Sequence, residues 1–597
     1  MGIILGSFLG ITLLIMLFSF YQSRKVAKDT SDGYFLGGRS LTGGVIGASL
    51  LLCNLSATNF VGMTGDVYRT NMATIGWETP CAIALVVVAC ILLPRYLKRG
   101  FATIPDFLEE RYDSTVKKWV SVLFIICYIC NTLPICLYAG AITVNQIFDI
   151  PGMFGLTYAQ GVWAMVLLIG AIGIIYALFG GLKMVATADT LNGILLVIGG
   201  LLVPIFGLLA LGKGSINDAM HTILTAAPEK LNAIGTEQDL LPFSTMFTGL
   251  MPVLIYYWGM DQAIIQRALA AKNLKEGQKG VMFAGVLKLL TPLVLMFPGI
   301  ICFHLYGTGA LENSDLAYAT LVNGVLPKPL IGLFIAAMFG AILSTFNGTL
   351  NSVCTLFAMN LYKGKTQNGA PVSEAKIVRV GKICGLVVGI GSMLVAPMIM
   401  YAPDGLYSLF QQLNGLFNVP IFTIMVMGYL NKKAPAIAAK ISLIAFISVY
   451  GFTTFFMDLP IYYLHVSGVM FVICCIFMWV MGKIKPTDKV FETKSTNVVS
   501  INPWKYRYEC GTLIAMGAVL TYIALSPVGF AQAGGADVMT GVWMVVGIAA
   551  TCLVGFLFKK IMTRFDKEVY EDTVTPSRHR TNINIVPTPM QKQEEKI

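Results

Sequence analysis

The sequence predicts an all-α polytopic membrane protein built around two inverted sets of five helices. Three observations predict this class. Of the 597 residues, 56% are hydrophobic and only 12% are charged, whereas soluble domains carry about 25% charged residues. Many apolar runs are long enough to cross a bilayer, and two of them are interrupted by polar residues. A soluble globular fold is therefore excluded.

Apolar runs of about 18 residues or more predict transmembrane helices. About 15 spans are expected, near residues 3–22, 42–66, 74–94, 119–147, 158–180, 187–212, 242–264, 280–305, 329–361, 383–402, 406–430, 437–457, 461–482, 509–527 and 538–558. The run at 329–361 is longer than one bilayer crossing, so this helix is expected to tilt or to extend beyond the membrane.

Basic residues predict the orientation, because Lys and Arg accumulate in cytoplasmic loops. With the N-terminus outside, all but five of the 42 Lys and Arg residues lie on the cytoplasmic side or in the tail. Lys288 is the one basic residue within a span. We therefore expect an external N-terminus and a cytoplasmic C-terminus. The net charge of +11 then belongs to one membrane face, so the lipid bilayer and not nucleic acid is the expected partner.

The order of the spans predicts the domain organisation. Five spans lie in 42–213 and five more in 242–430. Since five is odd, the second set begins at the opposite membrane face and is inverted. Residues 1–41 form a first peripheral span and a cytoplasmic loop, 431–558 form peripheral spans, and 559–597 form a polar cytoplasmic tail of disordered composition.

Both five-helix sets begin with a span that polar residues interrupt. The segment Leu52–Asn59 lies at the centre of the run at 42–66, and Tyr256–Gln262 interrupts the run at 242–264. Unwound or polar backbone is tolerated in a bilayer only against protein or a water-filled cavity. Paired interruptions are typical of a transporter with a binding site at the midplane. For the first run alone, the alternative is a helix that packs through small polar residues.

Three ionisable residues remain at membrane depth: Glu78, Asp189 and Lys288. A charge at a helix centre costs about 2.5 to 3.5 kcal/mol on insertion scales, so these residues are functional candidates. The alternatives are a structural Glu78–Lys288 pair and an interfacial position for Asp189. In the long run at 329–361, Ser344 and Thr345 offer adjacent hydroxyls, which alternatively bond to carbonyls of their own helix.

The cysteines and the missing motifs argue against redox chemistry and catalysis. The 13 cysteines lie mostly within spans, as expected for small packing residues. Cys127 and Cys130 have the spacing of a redox pair but lack companion His or Cys residues. The sequence contains no P-loop, Rossmann, catalytic-triad or H-E-x-x-H motif in a suitable context. We therefore expect no enzyme activity, no catalytic residues and no transition-metal site.

Four strings carry a resemblance to a known family: Asp32–Ser40, Thr103–Glu109, Gly180–Leu182 followed by Asp189, and Tyr257-Trp258 followed by Gln266–Ala270. In this order they resemble the sodium:solute symporter family, most closely its sodium/galactose and sodium/glucose members, over about residues 20–480. The resemblance implies a leucine-transporter-type core, a place in the cell membrane, specifically a bacterial inner membrane, and Na⁺ as the coupling ion without an organic cofactor.

The resemblance also implies a sodium site where the first core span meets the eighth. Its ligands would be the carbonyls of Leu52, Leu55 and Ala341 and the hydroxyls of Ser344 and Thr345. Oxygen ligands suit a hard cation. Asp189 matches a family residue on the sodium exit route. Asn347 and Gly348 stand where some members use further hydroxyls for a second sodium, so one sodium per cycle is expected.

For the substrate, the resemblance implies sugar contacts at Asn54, Glu78, Tyr138, Lys288 and Gln411, and a gate at Tyr257 and Trp258. Such residues suit hydroxyl groups and the apolar face of a ring. Asn59, Cys81 and Leu254 replace a Gln, a Ser and an Asn of the family, and this places the identity of the sugar in question.

The expected function is sodium-coupled import of a sugar or sugar-like small polar solute by alternating access. The alternatives are symport of a non-sugar solute, such as a polyol or a carboxylate, and a transporter-like membrane sensor. A channel is less well supported because it needs a continuous polar path. The sequence leaves the oligomeric state open.

Overall fold

The fold is almost entirely helical. The computed structural model describes residues 2–23, 30–311, 313–363, 366–367, 370–401, 406–457, 459–488 and 498–570. Within them, the only strands are Thr366–Gln367 and Ala370–Pro371, which pair antiparallel. This confirms the predicted all-α class.

The N-terminal region and the first repeat contain eleven α-helices. They are α1 (Gly2–Ser23), α2 (Ser31–Phe35), α3 (Gly43–Asn54), α4 (Ala57–Arg69), α5 (Thr79–Val87), α6 (Leu93–Arg99), α7 (Ile104–Arg111), α8 (Ser114–Cys127), α9 (Leu133–Phe148), α10 (Ile150–Phe154) and α11 (Tyr158–Leu211). Short 3₁₀ helices lie at Gly37–Arg39 and Met72–Trp77, and π-helical turns at Val88–Leu92 and Tyr128–Thr132 continue the surrounding helices.

The connecting segment and the second repeat contain α12 (Ile216–Ala226), α13 (Leu250–Gly259), α14 (Gln262–Leu269), α15 (Leu274–Lys288), α16 (Thr291–Leu295), α17 (Phe297–Tyr306), α18 (Ala317–Val325), α19 (Lys328–Thr355), α20 (Glu374–Val395) and α21 (Leu406–Leu430). Short 3₁₀ helices lie at Pro228–Leu231, Phe243–Phe247, Ser314–Leu316 and Ala396–Tyr401, and a π-helical segment, Leu356–Tyr362, extends α19. The C-terminal helices are α22 (Ala436–Phe455), α23 (Tyr463–Ile484), α24 (Arg507–Ala524) and α25 (Val538–Tyr570).

The predicted number of about 15 spans is not confirmed. In the described residues, 11 helices are long and apolar enough to cross a membrane, or up to 13 if each bent pair counts as one span. Two predicted spans fall short. At 242–264 the apolar helix is only Leu250–Gly259, because the chain breaks before α14. At 509–527 the helix is α24, whose first turn carries Arg507 and Glu509.

Other expectations about element length have clear outcomes. The long run at 329–361 is a continuous helical segment of 35 residues, Lys328–Tyr362, as predicted. The helix α25 continues to Tyr570, so residues 559–570 of the predicted polar tail are helical, and the boundary of the tail remains a prediction. Residues 571–597 of that tail lie outside the described residues. The boundaries of the two five-helix sets remain predictions.

Glycine produces a sharp kink within α11. At Gly181 the backbone has φ 66° and ψ 179°, which separates the two spans Tyr158–Leu178 and Gly181–Leu211. Only glycine adopts this conformation without strain. The hydroxyl of Tyr34 donates to the carbonyls of Ala177 and Leu178, at 3.2 and 3.1 Å, just before the kink. Tyr34 of the first string thus ties the N-terminal segment to the junction between two spans.

The string Thr103–Glu109 also has a structural role. Thr103 and Asp106 form a capping box at the start of α7, and the side chain of Gln262, at the start of α14, accepts a 3.0 Å hydrogen bond from the Ile104 amide. At the other end of α7, the Arg111 guanidinium donates to carbonyls of Gly428, Asn431 and Ala434 at the end of α21. This short helix therefore connects elements of both repeats.

The arrangement of the core elements positions the site. The helix α3 packs against α11, α15 and α19, while α4 packs against α9, α17 and α18. The helix α13 packs between α5 and α21. The C-terminal helix α24 packs on α5 and α15, and α25 packs on α24 with most of its surface exposed. The exposed side chains of α25 are largely apolar, as expected for contact with lipid.

Candidate functional site

The first core span is broken where the sequence predicted. The helices α3 and α4 are bent by 57°, and Leu55 and Ser56 between them have non-helical backbone angles. In a continuous helix the amides of Ser56 and Asn59 would bond to the carbonyls of Leu52 and Leu55. They donate instead to the carbonyls of Asn54 and Ser56, at 2.8 and 3.0 Å. The break therefore releases two carbonyl groups that were predicted to bind sodium.

The helix α19 meets this break directly. The hydroxyl of Thr345 donates to the carbonyl of Cys53 at 2.9 Å, so it bonds across to the break and not back to its own helix. Ala341 lies one turn before Thr345 and is fully buried. Ser344 points differently: it lies beside Asp189, and both line a second cavity between α1, α11 and α19. All five predicted sodium ligands thus lie at or next to the contact of α3 with α19.

A central cavity adjoins the break. Its empty volume is ≈ 820 Å³, including space open to solvent. The predicted site residues that line it are Asn54, Asn59, Glu78, Cys81, Tyr257, Thr345 and Gln411. The amide of Asn54 donates to the Tyr257 hydroxyl at 3.2 Å, which connects the first interrupted span to the second.

Three of the residues predicted to contact or gate the substrate do not line this cavity. Tyr138 is half-buried on α9, away from the cavity lining. Trp258 is buried, and the Lys288 ammonium lies 5.4 Å from the centre of its ring. Lys288 is fully buried and forms an ion pair with Glu78, so it reaches the cavity only through that carboxylate. The structure therefore places these residues outside the surface that a solute would touch in this conformation.

Glu78 forms the inner end of a polar network. It lies at the junction between the 3₁₀ helix Met72–Trp77 and α5, where its side chain borders the cavity. Its Oε2 accepts from the ammonium of Lys288 and, at 2.7 Å, from the hydroxyl of Thr291. The pair joins α5 of the first repeat to α15 of the second. It is both a structural ion pair and a polar wall of the cavity.

A second buried ion pair was missed from the sequence. Arg267 binds Asp189 at 3.2 Å, and the two side chains are only 1% and 2% exposed. Ser49 donates to Asp189 at 2.6 Å and accepts from Arg267 at 2.8 Å. The charge count gave no sign that Arg267 is buried, because its burial follows from the packing of α14 against α3 and α19. Asp189 is thus paired inside the protein and is not exposed at its surface.

Gly348 makes room for this pair. A Cβ atom on Gly348 would lie 2.6 Å from a terminal nitrogen of Arg267, which is far closer than van der Waals contact. The glycine that the sequence analysis associated with a missing hydroxyl therefore borders a buried guanidinium. The sequence signal for this arrangement was the position of Arg267, the first basic residue after the second interruption.

Asp261 is the other site residue that the predictions omitted. It lies between α13 and α14 and lines the central cavity. Its Oδ1 accepts from the hydroxyl of Tyr128 at 3.0 Å and from the amide of Ala263 at 2.9 Å. The second bond caps the N-terminus of α14. Asp261 belongs to the interruption Tyr256–Gln262, so the available signal was a carboxylate within a polar break.

The described residues offer no arrangement for a transition metal. No group of three or more His, Cys, Asp or Glu side chains in that part of the chain is placed to hold a metal ion. Cys127 is buried while Cys130 is exposed on the same helical segment, so the two thiols face different surroundings. The chemistry of the site is that of neutral oxygen donors next to a cavity with polar walls.

Known proteins match over most of the chain. The model of the "Sodium:solute symporter family" matches residues 34–445. The "Uncharacterized symporter YidK" of Escherichia coli is 44% identical over 573 residues, covering 96% of this chain and 98% of YidK. The "Sodium/glucose cotransporter" of Vibrio parahaemolyticus is 30% identical over 468 residues, covering 74% of this chain and 84% of its own length.

A solved structure matches the fold. A Na⁺-coupled sialic acid symporter in a substrate-bound outward-open state superposes with a TM-score of 0.69 at 23% identity, covering 82% of this chain and 99% of that one. This confirms the predicted leucine-transporter-type architecture. The chain therefore belongs to the sodium:solute symporter family, and it is a sodium-coupled membrane transporter and not an enzyme.

Proposed function

We propose that the protein imports a sugar or a sugar-like small polar solute together with one sodium ion. The observation that carries this proposal is the central cavity, where the breaks of the two interrupted spans meet. There Asn54, Glu78 and Gln411 offer polar groups beside the aromatic ring of Tyr257. Such a combination suits the hydroxyls and the apolar face of a sugar ring. The identity to a sodium/glucose cotransporter supports the same class of solute.

The proposed sodium site would hold the ion with neutral oxygens only. The carbonyls of Leu52 and Leu55 are released from the helix, and the hydroxyl of Thr345 already bonds to the adjacent Cys53 carbonyl. A sodium ion bound there would replace this bond and draw the α3 break and α19 together. Neutral ligands add no opposite charge, so the ion is released when the helices separate.

Sodium and solute would share one short segment of chain, and this is the proposed origin of coupling. Asn54 lines the cavity, while the neighbouring Leu52 and Leu55 carry the proposed sodium-binding carbonyls. Ordering this segment with one ligand lowers the cost of binding the other. The coupling is reciprocal, so the solute should also raise the affinity for sodium.

The Asp189–Arg267 pair supports a stoichiometry of one sodium. The Asp189 carboxylate, beside Ser344, is already balanced by a buried guanidinium at 3.2 Å, so it adds no net negative charge that would attract a further cation. One charge crossing about 100 mV supplies about 2.3 kcal/mol, and a tenfold sodium gradient adds about 1.4 kcal/mol. Together these terms support accumulation of a neutral solute by a few hundredfold.

The departures from the family define what the solute contacts. Cys81 and Leu254 line the cavity at places where relatives of the sugar-transporting type carry polar groups. The amides of Asn414 and Asn418 on α21 also line it. The polar contacts would thus be concentrated toward α21, and a solute with hydroxyls on one side fits best.

We further propose an external N-terminus and a cytoplasmic C-terminus, based on the distribution of basic residues.

A solute panel in proteoliposomes tests the proposal. Hexoses, pentoses, inositols and small non-sugar metabolites would be offered with an inward gradient of sodium or, as a control, of potassium or choline. We expect concentrative uptake of at least one polyhydroxylated solute with sodium only, and a sodium Hill coefficient of 1. Equal uptake in potassium, or sodium-driven uptake confined to solutes without hydroxyl groups, would contradict the proposal.

A further inference from the structure

We propose that Asp261 makes the central cavity selective against anionic solutes, so that the imported sugar-like solute is neutral or cationic. The inference rests on the proposed function and specifies the charge of its substrate. It depends on three features of the cavity: the charges on its wall, the partners of each charge, and the helix end that Asp261 occupies.

The cavity wall carries negative charge without an exposed positive counterpart. Among the described residues that line it, Glu78 and Asp261 are acidic, and none is Lys, Arg or His. The charge of Glu78 is balanced by Lys288, which lies behind it. The hydrogen-bond donors to the Asp261 carboxylate are neutral: the hydroxyl of Tyr128 and the amides of Ala263 and Ile264. The nearby Arg267 is engaged by Asp189. With Lys288 paired to Glu78 and Arg267 paired to Asp189, the Asp261 carboxylate is left without an ion-pair partner among the described residues.

Asp261 also occupies a position where an anionic solute would otherwise bind. The N-terminus of a helix favours anions because its first amides point outward and its dipole is positive there. The helix α14 begins at Gln262 beside the cavity, and the carboxylate of Asp261 accepts from its first turn at 2.9 Å. The protein's own carboxylate thus takes the place of a solute carboxylate.

A second carboxylate in this cavity would meet repulsion and would find no cation. A neutral hydroxyl, in contrast, can donate to Asp261, and an ammonium group can pair with it. The structure thus favours solutes that present hydrogen-bond donors at this end of the cavity. If Asp261 only capped α14, replacing it by Asn would leave the preference among solutes unchanged, because Asn caps helices as well as Asp.

Matched sugars that differ only in charge test the inference. In proteoliposomes with an inward sodium gradient, uptake of D-galactose, D-galacturonate and D-galactosamine, and of D-glucose, D-glucuronate and D-glucosamine, would be compared by direct uptake and by mutual competition. For whichever of the two sugars, galactose or glucose, is transported, we expect the wild type to prefer the neutral sugar over its uronate by at least tenfold in apparent affinity. The apparent affinity for the amino sugar should be equal to that for the neutral sugar, higher than it, or at most a few fold lower.

Variants separate charge from structure. Asp261→Asn should reduce the preference over the uronate to a few fold while sodium dependence persists. Asp261→Glu should keep the preference, and Tyr128→Phe, which removes a donor but leaves the charge, should keep it as well. A melting temperature measured for each variant confirms that the comparison concerns folded protein.

The outcomes distinguish the two proposals. A uronate taken up as well as its neutral parent, or a preference that Asp261→Asn leaves unchanged, would overturn the role of Asp261 while sodium-coupled import stands. Sodium-independent uptake, or no sodium-driven uptake of any hexose, pentose or inositol, would instead overturn the proposed import of a sugar-like solute, and the role of Asp261 with it.

Discussion

Two buried ion pairs join the repeats of this transporter, and they differ in what surrounds them. Both Glu78–Lys288 and Asp189–Arg267 connect an acidic residue of the first repeat to a basic residue of the second. Glu78 lines the central cavity, which is the proposed solute site. Asp189 is held by Ser49 and Arg267 and borders the second cavity, between α1, α11 and α19. Ion pairs of the same kind thus adjoin the proposed solute cavity in one place and the cavity beside Ser344 of α19 in the other.

The largest expected effect tests the Asp189–Arg267 pair. Arg267→Ala leaves the Asp189 carboxylate buried without its cation, and removing one partner of a buried pair typically costs 3–5 kcal/mol. We expect a large fall in the melting temperature of the purified protein in detergent. The double variant Asp189→Asn with Arg267→Gln, which leaves no charge behind, should recover most of the loss. Unchanged stability of Arg267→Ala would show that the pair does not hold the two repeats together.

Lys288→Ala tests the pair at the cavity. Here Glu78 borders a cavity that admits water, so we expect solute binding to suffer more than folding. Truncating one partner of a buried charge pair costs about 2 kcal/mol or more, which corresponds to solute affinity weakened by about 30-fold. Sodium-dependent uptake and melting temperature would be measured together. A large loss of stability with retained transport would mean that the pair is purely structural and that the two pairs do not differ.

Thr345→Ala tests the link between the break and α19. Loss of one hydroxyl ligand, worth about 1 to 1.5 kcal/mol, should weaken the apparent sodium affinity by about tenfold. Thr349→Ala is the matched control, since Thr349 lines the same cavity one turn further along α19 and is not a proposed ligand. Equal sodium affinity in wild type and Thr345→Ala vesicles would remove Thr345 from the sodium site.

The smallest expected effect concerns the gate. Tyr257→Phe keeps the ring but removes the hydroxyl that accepts from Asn54 at 3.2 Å. A neutral hydrogen bond contributes about 0.5 to 1.5 kcal/mol, so we expect a change of a few fold in KM for the solute and little change in sodium affinity. Tyr257→Ala, which also removes the ring, should have a clearly larger effect. Identical kinetics of the two variants would argue against stacking of the ring on the solute.

The sequence predicted the breaks well and the buried charges only in part. Polar residues at Leu52–Asn59 and Tyr256–Gln262 stand out because hydrocarbon tolerates neither free backbone nor polar side chains. Arg267 was missed because a charge count along the chain places every basic residue after a span in a loop. Its burial depends on α14 folding back against α3 and α19, which is a tertiary contact without a local pattern.

Residues transferred by family resemblance fared unevenly for a similar reason. Asn54 and Gln411 line the cavity, whereas Tyr138 on α9 does not. A motif match fixes the helix and the approximate depth of a residue. The helix rotation and the conformation of the transport cycle decide which side chain faces the solute, and neither is visible in a short string.

The packing of the C-terminal helix α24 has a consequence for how the molecule moves. Glycines let it approach its neighbours closely: a Cβ on Gly511 would lie 2.7 Å from Val86 of α5, and one on Gly517 would lie 2.6 Å from Leu289 at the end of α15. Helices so tightly apposed have little freedom to slide past one another. The elements that carry Glu78 and Lys288 should consequently move as a single rigid unit with α24. In a chain shortened before residue 507, α24 would be missing and these elements would be free to move separately.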